Sequence, residues 1–326
     1  MASNGTEFAV RAATVFDGEA LLQDHCIVVR DGSVAQLLPA ADCELSGLSC
    51  THLESGILAP GLIDLQVNGG GGVMLNNAPS ADSVDRIVDA HRARGTTAMT
   101  PTLISDTAAV QQSAVNAVRE ARRRGNPSVL GIHLEGPHFE LSRRGTHKAG
   151  MIRKAGQEDI DWLCGIPGDD LLVIATLAPE HLELEQIEQL AAAGIRVCAG
   201  HTNAGYADTT AAIEAGLTGF THLFNAMSPL TAREPGAVGA ALDSDNCWAG
   251  IIVDGHHLHP ATVRIACRVM PAGRVFLVSD AMATVGSDQP AFELYGETIA
   301  EQDGRLVNRE GALAGSAIGM LDAVRI

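Results

Sequence analysis

Four residues far apart in the chain combine the side-chain types that hold a metal ion with one that moves a proton: Glu135, His201, His222 and Asp280. Each closes a short apolar run. Val129-Leu-Gly-Ile-His-Leu-Glu135 breaks at Gly136-Pro137, and Arg196-Val-Cys-Ala-Gly-His201, Leu217-Thr-Gly-Phe-Thr-His222 and Val275-Phe-Leu-Val-Ser-Asp280 follow the same pattern. Such runs read as buried strands that deliver one polar side chain at their tips. Two imidazoles and a carboxylate leave an open coordination position, which suits a catalytic zinc or a similar divalent ion. That ion lowers the pKa of a water towards about 7 and supplies hydroxide at neutral pH. Asp280 is then the spare carboxylate, a base towards the water and an acid towards the leaving group. A single histidine at a strand end is more often a satisfied polar residue; four such tips together favour a site.

Other groups leave their roles open. His147, in Arg143-Arg-Gly-Thr-His147, follows the Glu135 tip and could polarise a carbonyl or be a solvated loop histidine. In Asp254-Gly-His-His-Leu-His259, adjacent histidines point to opposite sides of an extended chain, so a contact to substrate by one of them is expected rather than a second metal. Arg233, in Arg-Glu-Pro-Gly236, could meet a phosphate, for which arginine is the planar partner, or lie free on a surface loop. His52, His91 and His181 are expected to be structural.

The elements that must carry these tips are legible as alternation. Strand-like runs at 57–66, 97–103, 129–135, 171–177, 195–200, 218–223, 248–254 and 274–279 are mostly separated by helical stripes. Val84, Ile87, Val88 and His91 form one stripe before Gly95; Val110, Ala114, Val115 and Val118 form another before Gly125; Leu184, Ile187, Leu190 and Ala191 a third before Gly194. Eight strands alternating with helices predict an α/β fold of the (β/α)8 TIM-like barrel type, whose active sites lie at the C-terminal strand tips. A doubly wound open sheet would want a phosphate-binding glycine turn after its first strand. Asn68-Gly-Gly-Gly-Gly72 is not one and reads as a flexible loop. Asp31-Gly32 and Asp303-Gly304 mark hairpins near the two ends of the chain. They predict a small β-sandwich domain built from both termini: residues 1–56 its first part, 57–290 the barrel, and 291–326 the return to it with the start of the last barrel helix.

Composition narrows the partners. With 39 Asp and Glu against 22 Lys and Arg the net charge is −17, so neither nucleic acid nor an anionic membrane is expected as a partner, and an anionic substrate needs local positive charge. No window approaches the roughly 18 uninterrupted apolar residues of a membrane span. Aromatics make up 3%, so the core must be aliphatic. Seven cysteines without a Cys-x-x-Cys pair argue against a zinc ribbon or disulfide framework. With no signal-like segment at MASNGTEFAV, they point to a cytoplasmic location.

Pro60-Gly-Leu-Ile-Asp64, His133-Leu-Glu-Gly-Pro137, Gly200-His-Thr-Asn-Ala204, Thr221-His-Leu-Phe-Asn-Ala-Met227 and Val278-Ser-Asp-Ala281 together resemble the N-acetylglucosamine-6-phosphate deacetylase family of the amidohydrolase superfamily. The likeness runs from about residue 7 to the end, with the motifs in the family's order. It implies hydrolysis of the acetamide of N-acetylglucosamine 6-phosphate to acetate and glucosamine 6-phosphate in amino-sugar catabolism. One divalent ion per chain is implied, zinc first with iron, cobalt or manganese as alternatives, held by Glu135, His201 and His222. Asp280 is implied as base and acid, and His147 as the group that polarises the acetyl carbonyl. Thr146, Asn225, Ala226, Leu313, Ala314 and Gly315 match positions lining the sugar site. Arg233 and His257 match those binding the 6-phosphate, reaching in from the partner of a homodimer. Where many amidohydrolases carry His-x-His, this chain has Gln66-Val-Asn68, so a second metal is not expected and Gln66 is placed near the water on the metal. Family members also continue beyond Ala323-Val-Arg-Ile326, so a short C-terminus is expected. The alternatives are a deacetylase of N-acetylgalactosamine 6-phosphate and a truncated barrel that binds sugar phosphate without turnover. A cyclic-amide hydrolase of dihydroorotase type is disfavoured, because 171–177 contains no lysine.

Overall fold

The computed structural model describes residues 7–44, 47–168 and 170–326; residues 1–6, the start of the first expected segment, lie outside them. The chain divides into two compact units, Met1–Gly61 and Leu62–Ile326. In the first, β1 (Glu7–Phe16), β2 (Leu21–Arg30), β3 (Ser33–Pro39) and β4 (Ser49–Leu53) form one sheet in the order β3-β2-β1-β4. Asp31 and Gly32 turn the β2–β3 hairpin with φ of 52° and 77°, the double positive φ that a two-residue turn of matching twist requires.

The second unit is a parallel barrel. After β5 (Leu62–Val67), a two-stranded ribbon is made by β6 (Gly69–Gly70) and β7 (Val73–Met74). The other barrel strands are β8 (Thr96–Ile104), β9 (Gly131–Glu135), β10 (Leu172–Leu177), β11 (Arg196–Ala199), β12 (Gly219–Phe220), β13 (Trp248–Ile251) and β14 (Val275–Leu277). Together with β5 they make one eight-stranded sheet in the order β14-β13-β12-β11-β10-β9-β8-β5. The seam between β14 and β5 is laced at the tips: the Asp280 N–H donates to the Gln66 carbonyl at 3.0 Å and the Asn68 N–H to the Ala281 carbonyl at 2.9 Å. The expected barrel is therefore present, its first strand beginning only after Pro60-Gly61.

Helices α1 (Ala81–Arg92), α2 (Ala108–Arg123), α3 (Gln157–Cys164), α4 (Leu184–Ala192), α5 (Tyr206–Glu214), α6 (Gly236–Asp243), α7 (Pro260–Val269) and α8 (Met320–Arg325) complete the unit. Ser80 and Thr107 cap α1 and α2 by accepting the N–H groups of Ser83 and Val110. The stripe Val84, Ile87, Val88 and His91 is fully buried. In the α4 stripe Ile187 and Leu190 are buried, whereas Leu184, the first residue of that helix, is exposed. A second small sheet, β15 (Ala291–Leu294), β16 (Glu297–Gln302) and β17 (Arg305–Val307), carries the expected hairpin at Asp303-Gly304.

The glycine run is not a flexible loop. Gly69 and Gly70 are buried in the ribbon, and a Cβ on Gly69 would lie 2.8 Å from Met74 Sδ and 2.9 Å from the Ala283 nitrogen. The glycines are needed for close approach, which the sequence pattern cannot distinguish from mobility. His91 closes this corner, its Nε2 lying 2.9 Å from the Gly69 carbonyl, so its expected structural role stands.

Candidate active site

Glu135 is the last residue of β9, while His201 and His222 lie two residues past β11 and β12, and Asp280 three past β14. His201, His222 and Asp280 adopt φ of 49°, 33° and 51°, a left-handed backbone that non-glycine residues rarely take. Each strand thus ends in a tight turn that swings its polar side chain over the barrel mouth. All four residues are at least nine-tenths buried.

Their reactive atoms converge. Glu135 Oε1 lies 3.1 Å from both His201 Nε2 and His222 Nε2, and the two nitrogens lie 3.1 Å from each other. A tetrahedral ion with bonds of about 2.0–2.1 Å would set its ligands about 3.3 Å apart. The triangle is therefore of the size such an ion fills, and its donors are the types that bind one. His147 also brings a ring nitrogen within 4.8 Å of the ligand atoms of Glu135 and His201. Its Nδ1, however, accepts the Ser105 N–H, which places the neutral ring's proton on Nε2 and leaves that nitrogen no lone pair for an ion, so the tighter triangle is the better candidate.

Gln66 and Asn68 occupy one face of the first strand's tip, two residues apart. Gln66 Nε2 donates to Glu135 Oε2 and to Asp280 Oδ1, both at 3.1 Å. Asn68 Nδ2 donates to Asp280 Oδ1 at 2.6 Å. Two amides thus hold one oxygen of Asp280, and among the described residues its Oδ2 accepts no hydrogen bond. Burial, followed by the charge of Glu135, pushes the Asp280 carboxyl up to about 6. Burial would also raise Glu135, but the hydrogen bonds from His201 and His222 outweigh it and hold that carboxyl well below its usual range. For His222, burial works against the charge, yet its hydrogen bond to Glu135 wins and raises it. Burial, then the neighbouring His201, holds His147 well below the ordinary histidine value.

These groups floor a cavity of about 180 Å³. Of the sugar-site residues expected from the resemblance, Thr146, Asn225, Ala226, Leu313 and Gly315 line it, as do His147 and His257. His147 is buried and packs its ring 5.0 Å from Phe139 and 4.6 Å from His201, so it is not a solvated loop histidine. Gly315, with φ of 65°, lets the 313–315 loop lie on the Asp280 carbonyl, where a Cβ would come within 2.7 Å. Ala314 does not line the cavity; it is fully buried beside Met282 and Leu306, because alternate residues of that segment face opposite ways. Arg233 is exposed and does not line it either. Gln66 sits behind the two carboxylates rather than on the lining.

The three histidines after β13 part ways. His259 caps α7, accepting the Ala261 N–H at 3.1 Å; His256 is exposed; His257 faces the cavity. Asp254 holds His257 through Oδ2···Nδ1 at 2.6 Å, and its Oδ1 accepts the N–H groups of His256 and His257 at 2.9 and 2.8 Å. Burial would raise Asp254, but His257 and these amides bring it down to about 2.

Sequence reasoning missed Asn68 as a partner of Asp280, Ser105 as a partner of His147, and the apolar wall of Ile104, Ile252 and Met282. The i, i+2 relation to Gln66 could have found Asn68; no signal marks Ser105.

Comparison with known proteins agrees with this architecture. Residues 57–296 match the amidohydrolase family. The chain is 42% identical over 306 residues to an N-acetylgalactosamine-6-phosphate deacetylase of Shewanella sp. (strain ANA-3), covering 93% of this chain and 77% of that protein. It is 33% identical over 322 residues to an N-acetylglucosamine-6-phosphate deacetylase of Haemophilus influenzae, covering 98% and 83%. The solved N-acetylglucosamine-6-phosphate deacetylase of Pasteurella multocida superposes with a TM-score of 0.93 at 34% identity, over 98% of this chain and 83% of that one.

Proposed function

The chain belongs to the amidohydrolase family, and from that premise we propose that it removes the acetyl group of N-acetylglucosamine 6-phosphate, giving glucosamine 6-phosphate and acetate. The observation that carries this reading is the 3.1 Å triangle of Glu135, His201 and His222 beside an Asp280 carboxylate with one oxygen unused. Enzymes of this family are metal-dependent. We propose one divalent ion per chain on those three residues, zinc first; when bound it supplies Lewis acidity, making hydroxide available near neutral pH.

The other steps belong to side chains of the protein. Asp280 takes a proton at Oδ2 from the attacking water and gives it to the departing amine, while Gln66 and Asn68 keep Oδ1 fixed. His147 donates a hydrogen bond to the acetyl oxygen as charge gathers there. Thr146, Asn225, Ala226, Leu313 and Gly315 shape the sugar site, with Ile104, Ile252 and Met282 giving it a dry wall. His257, backed by Asp254, meets the 6-phosphate. Arg233 completes phosphate binding from the second subunit of a homodimer, a reading supported by its exposure away from its own chain's cavity.

A cytoplasmic location is also proposed, and among the described residues no helix is long and apolar enough to cross a membrane. So is a β-domain shared by residues 1–56 and 291–326, on the strength of a hairpin near each end of the chain.

The galactosamine epimer is the second reading, favoured by the relative at 42% identity. Binding without turnover is disfavoured by the retention of Asp280 and both its amide partners. The deciding experiment measures acetate release from both N-acetylhexosamine 6-phosphates, with and without chelator. Chelator-sensitive release from the gluco compound with higher kcat/KM supports the first reading; higher kcat/KM on the galacto compound supports the second. No release from either refutes both.

A further inference from the structure

We propose that Ser105 is the positioning residue that fixes His147 in its neutral form with the ring proton on Nε2, so that the ring can only donate to the carbonyl under attack. The inference rests on the proposed role of His147 and adds how the chain sets it. Ser105 follows directly after β8 and is completely buried. Its backbone N–H donates to His147 Nδ1 at 3.2 Å, and its Oγ lies 2.8 Å from the same nitrogen.

An amide N–H can only donate, so Nδ1 must present its lone pair. A proton on Nδ1 would point at that N–H. The serine hydroxyl then also donates to Nδ1, and the single ring proton of a neutral imidazole sits on Nε2, since each ring nitrogen's role follows from the hydrogen bond made by the other.

Ser105 is itself held from two sides. The Tyr295 hydroxyl, in the turn between β15 and β16, donates to the Ser105 carbonyl. Gly136, just after the Glu135 tip, leaves the space that Oγ occupies, and any Cβ there would collide with it. The small C-terminal sheet is thereby connected, through one serine, to the ring that faces the substrate.

The test uses two readouts. The first is histidine 15N NMR of zinc-reconstituted and of chelated protein, with His147→Gln identifying the His147 signals among the 12 histidines. The expected pattern is a bare Nδ1 and a protonated Nε2, kept in Ser105→Ala because the backbone N–H remains, while the loss of the hydroxyl loosens the hold on the ring. A proton on Nδ1 in the unaltered protein overturns the proposal, whatever the activity. The second is a double-mutant cycle. Ser105→Ala should lower kcat about tenfold with little change in KM, the usual scale for losing a group that orients a site histidine. In a His147→Gln background the same change should cost less than about twofold, because partners in one network do not add. An equal loss in both backgrounds would mark Ser105 as merely structural and refute the claim. Full activity in His147→Gln alone would instead refute the role given to His147, leaving the NMR result to decide the tautomer.

Discussion

Replacing Asp64 by Asn should change how stability depends on pH. Asp64 lies fully buried in β5; its Oδ1 accepts the N–H groups of Gln66 and Ser279, both at 3.2 Å, and among the described residues its Oδ2 has no partner. Burial pushes this carboxyl from 3.8 up to about 7. Between those values the folded protein keeps a proton that the unfolded chain has released. With fewer protons bound unfolded than folded, stability falls as pH rises from about 4 to about 7, and is unaffected by this group outside that window. A displacement of about three pH units corresponds to at most about 4 kcal/mol. Asp64→Asn keeps a carbonyl oxygen for both N–H donors and removes the titration. The variant should therefore gain on the unaltered protein by up to about 4 kcal/mol between pH 4 and 7.5. Urea unfolding followed by far-UV circular dichroism, at matched metal loading across that range, measures the difference. A difference that stays constant with pH would show that Asp64 titrates alike in the folded and unfolded chain, and would refute the reasoning.

Asp280→Asn should keep its ion and the fold, because an amide oxygen still accepts from Gln66 and Asn68, yet lose turnover by on the order of 10²-fold or more; near-normal kcat would remove Asp280 from the proton-transfer role. Elemental analysis of the purified protein should find about one divalent ion per chain, consistent with amides rather than imidazoles at positions 66 and 68; two ions would refute the single-site reading. Arg233→Ala should raise KM for the phosphorylated sugar far more than for the unphosphorylated one, and equal effects on both would place Arg233 outside phosphate recognition.

The barrel and its tips were legible because both follow from patterns a chain cannot hide. A buried parallel strand is an apolar run, and a site residue at its end is a polar group where that run stops. Glu135, His201, His222 and Asp280 were all visible in this way. Features that depend on long-range packing were not. The glycines at 69 and 70 look like slack, yet Gly69 lets the ribbon close on Met74 and approach Ala283, and Gly70 lets it meet the His91 ring. Ala314 falls inside a segment that lines the cavity but points away from it, which depends on the local twist of a loop. Ser105 bears on His147 only because β8 and the loop after β9 end side by side, a relation written in tertiary structure alone.

The amide clamp on Asp280 has a stereochemical consequence for the proposed reaction. With Oδ1 occupied by Gln66 and Asn68, only Oδ2 is left to carry a proton. The same oxygen must collect it from the incoming water and release it to the outgoing nitrogen, without a flip of the carboxyl group. Nucleophile and leaving group are thereby confined to the same side of the acyl carbon, within reach of one atom. A substrate whose nitrogen is held on the opposite side could bind there and still not be cleaved.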